Sequence, residues 1–386
     1  MSNRARTFED ANASHGAPRP RVDDTNAPRI AAVELALTQH HHSQGELFAA
    51  LSKRWKGAHH NLTRLASMHR AVGVEGRHIA LPIDEYDAID TFGKANDAFI
   101  RVGTELGAEA VTRALASAGL APRDVGAIVF TTVTGVAVPT IDARLINALG
   151  LPRDVRRMPL FGLGCVGGAA GLARTADWLR AYPEEVAVFL SVELCTLTLQ
   201  NEFSVANLIA SGLFGDGAAA AVMCGARAPV AANDAAPASV RSRARPRAIA
   251  SKSAFFPDTE RVMGWDIGET GFKVVLSADV PKIVREHLPQ EVDAFLAEHG
   301  LERSDIRHWV SHPGGPKVIT AIEESLGLGE HALDITRRSL ASVGNLSSAS
   351  VLHVLAETTL RASRGDLGLL LAMGPGFCAE LVLLSC

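Results

Sequence analysis

The 386-residue sequence predicts an α/β protein built from one unit used twice. Two observations carry that reading. Apolar runs without polar alternation, such as Ile128-Val-Phe and Leu367-Gly-Leu-Leu-Leu-Ala372, are typical of strands covered on both faces. The landmarks also recur in the same order in each half. A strand ends in small polar residues, a helix opens on small residues, a second strand follows, and a glycine turn leads into a third apolar run.

Residues 1–28 are polar and aperiodic, as in a disordered arm. The first half, 29–225, contains an amphipathic stretch at 96–117 that predicts a covering helix. A strand follows over 128–135. Cys165 then sits in a glycine-crowded turn, Phe161-Gly-Leu-Gly-Cys-Val-Gly-Gly-Ala-Ala-Gly171, opening a helical run that reaches Leu179. A strand at 186–192 leads to Glu193, and Leu213-Phe214-Gly215-Asp216-Gly217 turns into the apolar run ending at Val222. Residues 226–247, rich in Ala, Pro and Arg, read as an exposed connector.

The second half, 248–386, repeats the order. A covering helix is expected over 280–299, and Trp309-Val310-Ser311-His312 runs into Pro-Gly-Gly. Gly344-Asn345-Leu-Ser-Ser-Ala-Ser350 opens a helix, a strand covers 367–372, and Gly374-Pro-Gly376 turns into the run 379–384. About 30 residues separate the first strand's end from the helix start in each half, a spacing that suits parallel strands joined by crossovers. The two small-residue helices are expected back to back at the centre.

Composition narrows the function. Hydrophobic residues make up 47% and charged residues 21%, the balance of a soluble globular protein, and the net charge of −4 offers no basic surface for nucleic acid. No window is long and apolar enough to span a bilayer, and no apolar segment follows Arg4 and Arg6 as in a secretory signal. Five widely spaced cysteines without a CxxC pair argue against a disulfide framework or a zinc site and for a reducing cytoplasm. His40-His41-His42 reads as solvated surface, because three consecutive residues on a helix cannot face one ion. No metal is expected.

Cys165 is the candidate nucleophile. At a helix N-terminus, unpaired backbone N–H groups and the positive end of the dipole favour thiolate, and the surrounding glycines leave room for an acyl group. Cys224, Cys378 and Cys386 lie in apolar runs as small core residues, whereas Cys195, just after a strand end, is placed to line a cavity.

A cysteine in one half, with His312 and Asn345 at matching places in the other, resembles the thiolase-like arrangement. Gly164-Cys165, Leu213-Phe-Gly-Asp-Gly217, His312-Pro-Gly-Gly315 and Gly344-Asn-Leu-Ser-Ser-Ala349, in that order, resemble the type III polyketide synthases of the chalcone and stilbene synthase family. Met263-Gly-Trp-Asp266 and Leu276-Ser-Ala-Asp-Val-Pro281 look like its bacterial members. The resemblance implies a duplicated αβαβα five-layer fold and a homodimer without cofactor. It also implies an acyl-CoA starter loaded on Cys165 and extended by decarboxylative condensation with malonyl-CoA. His312 and Asn345 would stabilise the enolate oxygen, and His312 would pair with the thiolate. Phe214 is implied as gatekeeper between acyl tunnel and elongation cavity, with Cys195, Val138, Val274, Trp265 and Met373 around the cavity. Arg64, Arg70, Gly314 and Lys317 are implied to hold coenzyme A.

Departures from the plant pattern are informative. The Gly-Phe-Gly-Pro-Gly loop reads Ala372-Met373-Gly374-Pro375-Gly376, and Val274 and Val138 stand where phenylalanine and methionine are usual. A less aromatic cavity points to an aliphatic starter and an alkylpyrone or alkylresorcinol product, since apolar walls favour a chain by about 0.8 kcal/mol per buried CH₂. Two other readings compete. An initiating ketoacyl-(acyl carrier protein) synthase shares Cys, His and Asn but usually shows His-Gln-Ala-Asn. A dinucleotide-binding protein would use Gly162-x-Gly164-x-x-Gly167 with Glu193 at a later strand end.

Overall fold

The computed structural model describes residues 25–54, 62–200, 203–228 and 245–386. Most of the expected N-terminal arm and of the connector therefore lies outside the described residues. In chain order the strands are β1 (Arg29–Ala36), β2 (His41–Ser43), β3 (Gly76–His78), β4 (Ala127–Thr132), β5 (Arg156–Phe161), β6 (Val186–Leu194) and β7 (Asp216–Cys224), followed by β8 (Arg247–Phe255), β9 (Met263–Gly268), β10 (Gly271–Leu276), β11 (Ile306–Ser311), β12 (Leu367–Gly374) and β13 (Cys378–Ser385).

Nine of these strands form one sheet in the order β11-β12-β13-β8-β1-β7-β6-β4-β5. The duplication is visible in it. β4 and β6 are parallel, β6 and β7 antiparallel, and β7 and β1 antiparallel. β11, β12, β13 and β8 repeat that pattern. The two half-sheets meet through the Arg29–Arg247 pairing. The sheet is mixed rather than parallel as expected. β12 and β13 are joined by Pro375–Phe377 alone, and so short a link allows only an antiparallel hairpin.

Side-chain alternation builds the layers. On β6, Val188, Leu190 and Val192 point into a core shared with the Phe92–Ala118 helix. Ala187 and Phe189 point the other way, into a central core with the Gly167–Ala181 helix. On β12, Leu370 and Ala372 face that same central core, while Leu369 and Leu371 face the Val280–Glu298 and Pro316–Leu326 helices. Helices, half-sheet, paired central helices, half-sheet and helices make five layers. The central pair packs closely because Gly168 has no side chain, for a Cβ there would lie 2.2 Å from the Ser348 carbonyl oxygen.

Among the described residues, no helix is long and apolar enough to cross a membrane, and no group of three or more His, Cys, Asp or Glu is placed to hold a metal ion. His41 and His42 lie on β2, paired with β3, rather than on a helix.

Candidate active site

Cys165 lies in a single 3-10 turn, Gly164–Val166, that runs into the Gly167–Ala181 helix. Gly164 makes the entry possible. Its φ is +54°, and a Cβ would lie 2.7 Å from Pro375. The second half repeats this step, with Ser347 at φ +49° opening the 3-10 turn Ser347–Ala349 before the Ser350–Thr359 helix. Ser347 is not glycine, so its left-handed backbone stores strain next to Cys165. The Cys165 thiol donates toward Ser347 Oγ at 3.8 Å.

Asn345 and His312 are drawn in by the fold of the second half. His312 follows β11 and its N–H donates to the Leu371 carbonyl. Asn345 is pinned to the first half, since its N–H donates to Leu213 O at 2.9 Å and its own carbonyl accepts from Gly215 N–H at 3.0 Å. The amide's orientation is set by Ser347, whose N–H donates to Asn345 Oδ1 at 2.8 Å. That turns Asn345 Nδ2 toward His312 Nε2, 3.4 Å away. With Nε2 accepting, the imidazole is neutral and its proton sits on Nδ1, which finds no hydrogen-bond partner among the described residues.

Burial dominates the electrostatics. It pushes the Cys165 thiol up to about 12, the Ser347 hydroxyl pulling the other way, the Glu193 charge adding to the rise and the Asn345 amide opposing it. It pushes the His312 imidazole down to about 3. Burial thus favours the neutral form of each group, whereas the helix terminus and the pairing with His312 that the resemblance implies favour the Cys165 thiolate. Glu193, fully buried, accepts from Val133 N–H at 3.1 Å, Thr134 Oγ1 at 2.9 Å and Ser348 Oγ.

The three residues line one cavity of about 60 Å³, together with Ser347, Met373, Gly314, Cys195, Phe214, Trp265 and Val274. The last four also line a second cavity of about 430 Å³, which extends past Tyr86, Ile83 and Leu47. Phe214 thus stands between two chambers. Trp265 and Val274 face each other across the β9–β10 hairpin.

Other expected site residues lie elsewhere. Val138 does not line the cavity of its own chain but is 99% exposed, near the exposed Val136 and Phe161. Arg64, Arg70 and Lys317 are exposed. Arg64 and Arg70 lie on the Leu62–Arg70 helix, and Lys317 in the first turn of the Pro316–Leu326 helix. The chain just past the first of these helices meets the start of the second, since a Cβ on Gly73 would lie 2.9 Å from Pro316. Arg70 borders a separate hollow with His69 and Gln44.

The dinucleotide reading fails on geometry. Cβ atoms on Gly164 and Gly167 would meet Pro375 at 2.7 Å and Thr131 at 2.9 Å, so protein already fills the space a pyrophosphate would need. Glu193 faces Thr134 and Ser348 rather than a ribose site. Ser347 was not singled out from the sequence, although it stands two residues after Asn345. Tyr86 and Thr196, on the large cavity, belong to no motif.

Comparison with known proteins adds to this geometry. Residues 86–228 match the N-terminal domain of the chalcone and stilbene synthases, and residues 248–386 their C-terminal domain. A 1,3,6,8-tetrahydroxynaphthalene synthase of Streptomyces peucetius subsp. caesius is 48% identical over 357 residues, covering 92% of each chain. A 3,5-dihydroxyphenylacetyl-CoA synthase of Streptomyces toyocaensis is 32% identical, over 93% of this chain and 90% of the relative. The crystal structure of the 1,3,6,8-tetrahydroxynaphthalene synthase of Streptomyces coelicolor A3(2), a bacterial type III polyketide synthase, superposes with a TM-score of 0.83 at 29% identity, over 93% of this chain and 99% of that one.

Proposed function

The chain belongs to the chalcone and stilbene synthase family and is a type III polyketide synthase acting on CoA thioesters, and from that premise we propose roles for its residues and a product class. The observation that carries the roles is the convergence of Cys165, His312 and Asn345 on one buried cavity. His312 Nε2 takes the thiol proton as an acyl-CoA arrives, and the Cys165 sulfur attacks the thioester carbonyl. Coenzyme A leaves as thiolate, and the acyl group stays on Cys165. Malonyl-CoA then loses carbon dioxide to give a CoA-bound enolate. Asn345 Nδ2 donates to the enolate oxygen, and so does His312 through the proton held on Nε2. Such donors contribute roughly 10² to 10³-fold each. The enolate carbon attacks the acyl thioester and displaces the Cys165 thiolate. Decarboxylation itself generates the carbanion, so the scheme needs no cofactor. Coenzyme A is assigned to the exposed face carrying Arg64, Arg70 and Lys317, with Gly314 at the cavity mouth.

The product is assigned to the hydroxylated naphthalene class, supported by the similarity to the Streptomyces peucetius synthase. That product carries no alkyl chain, so malonyl-CoA serves as starter and extender. The aliphatic-starter reading is the alternative, supported by Leu47, Ile83 and Val274 on the wall of the large cavity. Incubation with malonyl-CoA alone, followed by mass spectrometry, separates them. A naphthalene product without any added starter is expected. Turnover that requires an aliphatic acyl-CoA would favour the alkylpyrone or alkylresorcinol class instead. The active unit is proposed to be a homodimer, supported by the exposed Val136, Val138 and Phe161 beside the edge strand β5.

A further inference from the structure

The helix that leads into Phe214 has its last carbonyls satisfied from outside. In Val205–Leu213, Ala210 O accepts from Phe214 N–H at 3.0 Å, and Leu213 O accepts from Asn345 N–H. The two carbonyls between them are both reached by one guanidinium, that of Arg77 on β3. Its Nη2 donates to Ser211 O, and its Nη1 donates to Gly212 O at 2.6 Å and to Gln44 Oε1 at 2.5 Å. Gln44 Nε2 gives Gly212 O a second donor at 2.9 Å. Carbonyls in the last turn have no partner within the helix, and the negative end of its dipole draws a cation to them.

We infer that Arg77 is a positioning residue for chain extension, fixing Phe214 between the two chambers and holding the backbone that presents Asn345. This rests on the polyketide synthase reading. The stem of Arg77 packs against the glycine before Asn345 and the glycine after Phe214. A Cβ on Gly344 would lie 3.4 Å from Arg77 Cδ, and one on Gly215 would lie 3.3 Å from Arg77 Cβ. The segments of Phe214 and Asn345 are themselves joined, through Asn345 N–H to Leu213 O and Gly215 N–H to Asn345 O. One side chain therefore braces both the residue between the chambers and the enolate donor. Arg77, Ser211 and Phe214 all line the large cavity, so the same brace shapes a wall along which the growing chain extends.

Arg77 is 2% exposed, and its three hydrogen-bond acceptors are neutral oxygens. Burial pushes the guanidinium down to about 10, opposed chiefly by the nearby Asp216, so it stays a cation at neutral pH. Taking such a charge out of water is costly, and neutral acceptors compensate only through several well-aimed bonds. The planar fork aims at two consecutive carbonyls at once. The single ammonium of lysine keeps the charge and does not reproduce that fork.

The test compares Arg77→Lys and Gln44→Leu with wild type. Three quantities are read: labelling of Cys165 by radiolabelled acyl-CoA, carbon dioxide released from malonyl-CoA per labelled site, and the products by mass spectrometry. Labelling per folded molecule is expected to be unchanged in both variants. Carbon dioxide release per labelled site is expected to fall about tenfold or more in Arg77→Lys, as for a donor displaced by about 1 Å, with shorter chains replacing the longest product. Gln44→Leu should show the same product shift to a smaller degree. Labelling that falls in step with carbon dioxide release would make Arg77 a general support of the fold and overturn the inference. So would wild-type release and products in Arg77→Lys. If Arg77→Lys does not fold, Gln44→Leu decides alone, and unchanged products there overturn it. Wild-type protein that released no carbon dioxide from malonyl-CoA would instead contradict the roles given to His312 and Asn345.

Discussion

Single residues divide the reaction between them. In the proposed scheme Cys165 carries the acyl group and Asn345 serves the enolate, so their losses should be separable. After incubation with radiolabelled acyl-CoA and denaturation, Cys165→Ala should carry no label, whereas Asn345→Ala should still be labelled. Asn345→Ala should lose malonyl-CoA decarboxylation by about 10²-fold or more. Label retained by Cys165→Ala, for instance on the neighbouring Cys195, would remove Cys165 from its role. Asn345 also shows why its identity matters beyond donation. Its Oδ1 is occupied by the Ser347 N–H, and only this orientation presents Nδ2 to the cavity. Aspartate at 345 would keep the contact to Ser347 and offer no donor to an enolate.

At the scale of elements, the two central helix starts set the geometry. Gly168→Val would drive a side chain into the Ser348 backbone, which flexible neighbours cannot relieve, and should destabilise the protein by about 1–3 kcal/mol in chemical denaturation. Gly45→Ala, where nothing lies within 4 Å of the added carbon, should leave stability unchanged or slightly raised. The sequence made these starts legible because small residues cluster visibly around Cys165 and Asn345. It also made the buried strands legible, since β12 is apolar throughout and β6 is interrupted only by Ser191 and Glu193. It could not reveal β5, whose Arg156-Arg157-Met-Pro-Leu-Phe161 has a half-exposed, mixed pattern. The contact of Thr196 with the buried Asp216 was equally hidden, because only the sheet register that puts Leu194 opposite Asp216 brings the two together.

At the scale of the whole molecule, the exposed apolar group Val136, Val138 and Phe161 sits beside an edge strand, the combination that invites a partner. In the proposed homodimer, Val138→Asp should weaken the interface, shifting the protein toward monomer in sedimentation and lowering product formation. A dimer of unchanged stability in the Val138→Asp protein would place the interface on another face.

The left-handed step at Gly164 and its twin at Ser347 have a last consequence. Backbone symmetry is kept across the two halves while chemistry is divided between them. The first copy of the turn holds the proposed nucleophile, and the residue in the same place in the second copy, Ser348, reaches across to Glu193 and acts as a strut. Neither half is a smaller version of the enzyme. Each has given up what the other supplies, so a chain cut within the connector would yield two pieces that are mute apart and regain a voice only when they reassociate.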